Sequence, residues 1–318
     1  MKSLKKYDVF LKKIEITGFF GQGNFVWLLD PDVNILGGKN GSGKTTIFRI
    51  CYDLLSGNLL DDRLLRCMKK VKLTFNNDWT LVFEKDDKKN GGMMSYYVIF
   101  QRLPPPNTSL LVFDKNGKKR TLKDIQKKVH VFFFNSFEQR LSQVNQYSKL
   151  PSTESMNDPI LLDLMIKDQI DLRNKDFSSK MENFVDFSIE DSDAHSKFVK
   201  SYKKIYESLG HFLQGYDEPF KSTFDFTKDG KTVGIDGLST GEKQILLLLL
   251  MVSNTNQQPC IFFMDEPDLS MHIDWKEILI SELHELNPNM QIILSTHAPS
   301  VITGWQDRVK EVEQLVSK

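Results

Sequence analysis

The chain has 318 residues, 40% of them apolar, and its 42 Lys/Arg offset 42 Asp/Glu to a formal net charge of zero. That length holds one large domain or two ordinary ones around a sizeable core. The zero balance excludes a global field of the kind that draws polyanions to a whole surface. The longest apolar run, Ile245–Val252, is too short to span a bilayer.

Three cysteines, Cys51, Cys67 and Cys260, are far apart and form no C-x-x-C pair. They suit a reducing compartment rather than a disulfide frame. The opening MKSLKKYDVFLKK is basic without an apolar stretch, unlike a signal peptide. The expectation is a soluble cytoplasmic protein with no membrane partner.

In chain order, FLKKIEITGFFGQGNFVWLLDPDVNIL alternates apolar and polar residues, as half-buried strands do. Helical spacing follows in TTIFRICYDLLSG, with Ile47, Phe48, Cys51, Leu54 and Leu55 on one side and Gly57 as a stop. VKLTFNN, TLVFEK, SYYVIFQRL and SLLVFDKNGKK read as strands separated by the turn signals DDKKNGG, PPPN and KNG. They predict an antiparallel β lobe. From Asp61 to Lys128 there are 16 Lys/Arg against 8 Asp/Glu. That excess is either a solvated Lys-rich surface or a face for DNA, RNA or an acidic partner.

VHVFFFN, Val129–Asn135, reads as a buried strand. Residues 141–217 are polar, with two amphipathic stretches, DPILLDLMIKDQIDLRNK and AHSKFVKSYKKIYESLGHFL, each of roughly five helical turns. STFDFTKDGKTVGI reads as a hairpin. The last third alternates helix (Gly241–Ser253), strand (Cys260–Met264), helix (Ile273–Leu286) and strand (Gln291–Ser295). That alternation predicts an α/β fold with a parallel sheet.

The strand VNIL runs into GGKNGSGKTT, where Gly38 to Thr45 fit G-x-x-x-x-G-K-[ST] in full between a strand and a helix. Glycines let the backbone wrap phosphates, with the amides from Gly41 to Thr46 pointing inward. Lys44 would neutralise the β- and γ-phosphates, and Thr45 would offer a hydroxyl to Mg²⁺. Asp265-Glu266 follow the apolar strand CIFFM. Asp265 is placed for the metal shell and Glu266 for accepting a proton from attacking water, a role worth about 10²–10⁴-fold in rate. Thr296-His297 end the next strand, at the sheet edge where ligands bind. His297 could then bond the terminal phosphate or the water. His272 is either a second site contact or a local helix-start contact.

GLSTGEKQILLLLL poses a puzzle, because a buried helix begins on a polar, glycine-bearing tip. Helix N-termini suit anions. Ser239 with the amides of Gly241 and Glu242 would form a second anion site. Two copies packed head to tail would bring it to the partner's Lys44. The other reading is an ordinary Ser N-cap.

The phosphate loop, LSTGEKQ, DEPDLSMH and STHAPS, in that order, resemble the ABC-type ATPase heads, within them the SMC/RecF/OLD branch. DVNILGGKNGSGKTT and DEPDLSMHIDW with ILSTHAPSVI are similar to bacterial anti-phage ATPases of Septu, PARIS and OLD-type systems. The likeness covers Phe10–Gly57 and Asp236–Gly304. It implies a P-loop NTPase head over 1–318, with a phosphate-loop and β lobe (1–140), a helical insertion (141–217) and a signature lobe (218–318). It further implies ATP and Mg²⁺ as cofactors, with the nucleotide on Gly38, Asn40, Gly41, Ser42, Gly43, Lys44, Thr45 and Thr46. Ser239, Thr240, Gly241 and Glu242 would act in trans in a homodimer. Asp268, Leu269 and Ser270 would form the dimer-crossing loop, and His297 the switch histidine.

Thr240 replaces a glycine common in relatives, and its Cβ could slow closure. The metal-sensing glutamine has no clear counterpart; Asn135 and Gln139 are the candidates. The insertion is short, without a long coiled coil or a zinc-hook cysteine. Only 21 residues follow His297, so no OLD-type nuclease domain is expected. The resemblance therefore implies a defence ATPase that holds or activates a separate effector, a nuclease or toxin. The alternative is a RecF-like DNA clamp in repair or recombination. A transporter subunit would need a membrane partner, and the GEKQ and DLSMH spellings argue against it.

Overall fold

The computed structural model describes residues 9–85, 108–136, 159–185, 192–217, 224 and 226–317. Gln139 and the strand expected at SYYVIFQRL lie outside the described residues.

Two sheets organise the chain. The first strands are β1 (Leu11–Phe19), β2 (Gly23–Leu28) and β3 (Val33–Gly37). Helix α1 (Lys44–Ser56) and the short α2 (Asp62–Arg66) precede β4 (Lys70–Phe75), β5 (Thr80–Lys85), β6 (Thr108–Phe113) and β7 (Lys119–Arg120). A short α3 (Leu122–Gln126) leads into β8 (His130–Asn135). Two longer helices follow, α4 (Pro159–Val185) and α5 (Ser192–Phe212), then the hairpin β9 (Phe226–Lys228) and β10 (Lys231–Val233). Then come α6 (Thr240–Ser253), β11 (Cys260–Asp265), α7 (Ile273–Leu286), β12 (Met290–Ser295) and α8 (Pro299–Ile302). A last run carries β13 (Val309–Glu311), α9 (Val312–Leu315) and β14 (Val316–Ser317).

The seven-stranded sheet has the order β14-β2-β1-β4-β5-β6-β7 with antiparallel pairs, and the five-stranded sheet β13-β3-β12-β11-β8 is parallel. Strict alternation in β1 is broken by register shifts near each end, so Leu11, Ile14, Ile16 and Phe19 all face inward. Such bulges turn a period-two pattern into a bent, twisted strand.

The parallel strands are unbroken apolar runs because both faces are covered. In β11, Cys260, Phe262 and Met264 pack toward α6, while Ile261 and Phe263 pack toward α1 and the antiparallel sheet. Ile245–Leu250 of α6 are all fully buried, each such side chain contributing about 1.5–3 kcal/mol. On the other face Phe48 lies between Trp27 and Phe263, with ring centroids 6.5 and 5.7 Å away.

Helix α4 runs parallel to α6, and its first half is tied to both ends of α6. Asp163 pairs with Lys243 at 2.7 Å. Ten residues on, Arg173 donates to Ser253 Oγ at 2.6 Å, and Asn254 donates to Gln169 O at 2.9 Å.

Gln291, buried in β12, joins the two sheets. Its Oε1 accepts the Leu11 N–H at 2.9 Å, and its Nε2 donates to Leu11 O and Asp30 O, both at 2.8 Å. Replacing it by leucine orphans buried backbone groups, each costing about 1–3 kcal/mol. Gln291→Leu is expected to lose about 3 kcal/mol in urea unfolding, and a midpoint equal to wild type would refute this bridge.

Candidate functional site

The phosphate loop leaves β3 at the carboxyl edge of the parallel sheet and re-enters the chain as α1. Gly43, the N-cap of α1, has φ 98°, and a Cβ there would lie 2.6 Å from the Phe19 and Phe20 rings. Only glycine satisfies both demands. Lys44 is nearly buried and turned back on its own loop. Its Nζ donates to Gly38 O at 3.0 Å and to Lys39 O at 3.3 Å. It also lies 2.8 Å from His297 Nε2.

Sheet register builds the acidic end. Asp265 lies level with Ser295 on one side and Asn135 on the other. Its Oδ1 accepts from Ser295 Oγ at 2.5 Å and its Oδ2 from Asn135 Nδ2 at 3.1 Å. Asp265 is 1% exposed, and among the described residues no ion pair reaches it. Its partners are thus two neutral donors, one from each neighbouring strand.

Glu266 breaks the strand with φ 49°, a conformation that costs about 1–3 kcal/mol for such a residue. Its N–H donates to Ser295 O at 3.1 Å, which holds it there. Glu266 Oε1 lies 3.5 Å from His297 Nε2, an approach without a hydrogen bond once that nitrogen faces Lys44. Burial pushes the Glu266 carboxyl above its ordinary value; His297 and Lys44 oppose the rise, and Asp268 and Asp265 add to it. A cavity of about 530 Å³ lies between Gly37–Asn40 and the Thr296–His297 turn.

The arrangement suits a nucleotide with Mg²⁺. Ser42 Oγ is buried with no hydrogen-bond partner among the described residues, and Thr45 stands exposed on the first turn of α1. Gly41, at φ 78°, opens the loop backbone ahead of Thr46. No group of three or more His, Cys, Asp or Glu among the described residues forms a metal cage. Thr45 and Asp265 are the residues that would hold a hard cation such as Mg²⁺.

Ser239, Thr240 and Glu242 do not meet this cluster: among the described residues no hydrogen bond or ion pair joins them to Lys44. The tip is closed by a capping box. Ser239 Oγ accepts the Glu242 N–H at 3.3 Å, and Glu242 Oε2 accepts the Ser239 N–H at 2.7 Å. Tyr216 donates its hydroxyl to Glu242 Oε1 at 3.1 Å. The Glu242 amide, expected to be free for an anion, is thus engaged. Gly241 packs so tightly on the Ser270 carbonyl that any Cβ would collide with it.

Asp268 corrects an expectation. It is turned inward rather than displayed on a crossing loop, accepting from Thr296 Oγ1 at 2.7 Å and pairing with Lys276 at 3.3 Å. Burial at 3% exposure requires such compensation. Leu269 and Ser270 are the exposed members of that loop. His272 is the exposed N-cap of α7 and pairs locally with Asp274 at 3.2 Å. Sequence reasoning missed Ser295, Thr296 and Lys276. Ser295 was within reach, since it stands level with Asp265 once the two strands are set parallel.

Residues 33–303 match the family described as "AAA domain, putative AbiEii toxin, Type IV TA system". Over 134 residues the chain is 31% identical to the Retron Vc95 probable ATPase of Vibrio cholerae serotype O1 biovar El Tor, covering 37% of this chain and 26% of that protein. Over 117 residues it is 30% identical to the Retron Ec83 probable ATPase of Escherichia coli, covering 32% and 22%. The matches thus take in about a quarter of the length of these curated relatives.

The fold is that of Smc heads. Similarity to the Pyrococcus furiosus Smc head bound to the C-terminal domain of ScpA has a TM-score of 0.51 at 14% identity, over 93% of this chain and 91% of that one. The SmcHead bound to the C-winged helix domain of ScpA gives 0.53 at 13%, over 92% of each. The family match begins at the first residue of β3 and ends just past α8, so it takes in every motif residue from Gly38 to His297: the chain belongs to this AAA-domain family.

Proposed function

We propose that the chain is a Mg²⁺-dependent, ATP-driven dimeric switch, acting in the bacterial cytoplasm, that holds or activates a separate effector, a nuclease or toxin, in anti-phage defence. One observation carries the dimer. Lys44, Glu266 and His297 are assembled, yet the tip Ser239–Thr240 is exposed and, among the described residues, no hydrogen bond or ion pair joins it to them. Leu269, 48% exposed, and Ile273, 60% exposed, accompany that tip, as suits a surface for a second copy. The defence reading is supported by the resemblance to the retron probable ATPases and by the family's description. No helix among the described residues is long and apolar enough to cross a membrane.

When bound, Mg²⁺ would supply charge neutralisation at the phosphates, held by Thr45 and Asp265. Asn135 and Ser295 hold the Asp265 carboxylate in place. Lys44 exchanges its loop carbonyls and the His297 nitrogen for phosphate oxygens. That exchange frees His297 Nε2 to orient water or phosphate, and removes a cation from beside Glu266. Glu266 then accepts the proton of the attacking water. Ser239 and Gly241 of one copy close over the loop of the other.

A RecF-like DNA clamp is the second reading, favoured by the segment 115–128. Lys115, Lys118, Lys119, Lys123, Lys127 and Lys128 are exposed. Both local carboxylates are engaged: Asp114 holds the turn and Arg120, and Asp124 holds the α3 cap. A clamp of this kind predicts ATP-dependent DNA binding whose log affinity falls by several units per log unit of salt; salt-insensitive or absent binding eliminates it.

Glu266→Gln should slow hydrolysis by about 10²–10⁴-fold and trap an ATP-bound dimer. Ser239→Arg should bind nucleotide yet stay monomeric. Native mass measurements on protein expressed with its gene neighbours check both. A second gene product in the trapped complex supports the switch, a bare dimer favours the clamp, and a monomer with ATP sinks the trans-acting tip.

The raised Glu266 pKa sets a sign for pH dependence. The base works deprotonated, so kcat should fall with decreasing pH starting above the ordinary carboxylate value of 4.5. An acid limb at or below that value, measured from pH 4 to 8, would contradict burial of the working base.

A further inference from the structure

The run from Val309 to Ser317 touches both sheets. β13 pairs parallel with β3, setting Glu311 level with Gly37, and β14 pairs antiparallel with β2. Between them Val312 is buried at 2% exposure. This strap underlies the first half of the phosphate loop. A Cβ on Gly37 would collide with the Glu311 carboxylate. One on Gly38, at φ 138°, would lie 2.9 Å from Ser42 Oγ, 3.2 Å from Glu313 Oε2 and 3.4 Å from Val312.

Glu313 Oε1 accepts the Lys39 N–H at 3.1 Å, across a separation of 274 residues. Lys39 is the node of the loop. Its carbonyl accepts the Ser42 N–H at 3.1 Å and Lys44 Nζ at 3.3 Å. The Gly38–Lys39 peptide that Glu313 holds carries the Gly38 carbonyl, which accepts Lys44 Nζ at 3.0 Å, and the next peptide carries the Lys39 carbonyl that Ser42 bonds. Glu313 is kept below its ordinary value by its own N–H and that of Lys39, helped by the Lys39 and Lys44 charges, so it remains an ionised acceptor at neutral pH.

A carboxylate beside a phosphate loop repels a triphosphate. Glu313 is solvent-exposed, however, so water and salt screen that repulsion. The directional bond remains. It is charge-assisted, hence stronger than a neutral one.

We propose that this strap is a working part of the nucleotide site, with Glu313 as a positioning residue that fixes the first turn of the phosphate loop through the Lys39 amide. The inference rests on the reading that the loop binds ATP. It adds a contact from outside every motif, from a segment beyond the 33–303 family match.

The test is equilibrium binding of a fluorescent ATP analogue to the wild-type chain, Glu313→Ala and Glu313→Gln, with steady-state hydrolysis and thermal melting alongside. Glu313→Ala is expected to raise Kd and KM about tenfold, the size of one charge-assisted hydrogen bond, with kcat within about twofold. Glu313→Gln keeps an acceptor oxygen and should recover most of the loss. Amide exchange across Val309–Ser317 should slow on adding ATP in the wild type and not in Glu313→Ala.

Unchanged affinity in Glu313→Ala overturns the inference. So does tighter binding by both variants, which would make Glu313 an electrostatic brake. Equal weakening by Ala and Gln, with matched losses in melting temperature, assigns it a purely structural role and overturns it too. A wild-type chain that does not bind the analogue at all refutes the ATP reading itself, a result distinct from these.

Discussion

The site depends on one constraint, the parallel register that sets Asp265 level with both Asn135 and Ser295. A buried carboxylate needs partners, and here both are neutral. Shifting either neighbouring strand by one residue would turn its polar end into a core face and leave Asp265 without its donor. The same register carries the Ser295 carbonyl to the Glu266 amide and stabilises a backbone conformation a glutamate seldom adopts. Phosphate loop, acidic end and His297 turn therefore converge because three strands end together.

That register is itself held by packing on two sides. Each central strand sends alternate residues to two separate cores, one under α6 and one around α1. Phe48 of α1 packs on Phe263 of β11, so the helix that carries Lys44 rests on the strand that carries Asp265. Rigidity at the chemistry thus comes from apolar contacts beneath it. Polar groups above set only the last bonds.

Much of this was legible in sequence. The apolar runs CIFFM and QIIL could only be strands covered on both faces, and the loop pattern between VNIL and TTIF fixed its own context. Ile273–Leu286 and Thr80–Lys85 were read to the residue. Less legible were features decided by long-range geometry. Asp268 reads as a displayed loop residue until Lys276 and Thr296 draw it inward. Glu242 reads as a free amide until its own side chain closes the capping box and Tyr216 joins it. β1 reads as a regular alternation until two bulges re-aim it. No local pattern announces that Glu313 reaches Lys39, since the two stand 274 residues apart.

The contact between Gly241 and the Ser270 carbonyl leaves no room for sliding. The helix tip and the loop that follows Asp265-Glu266 are consequently one mechanical body within each molecule. In a head-to-tail pair, the tip over one nucleotide belongs to the chain whose own carboxylates attend the other. In the pair proposed above, a shift at either acidic end would carry its own tip with it over the opposite site, because the contact between loop and tip leaves no slack.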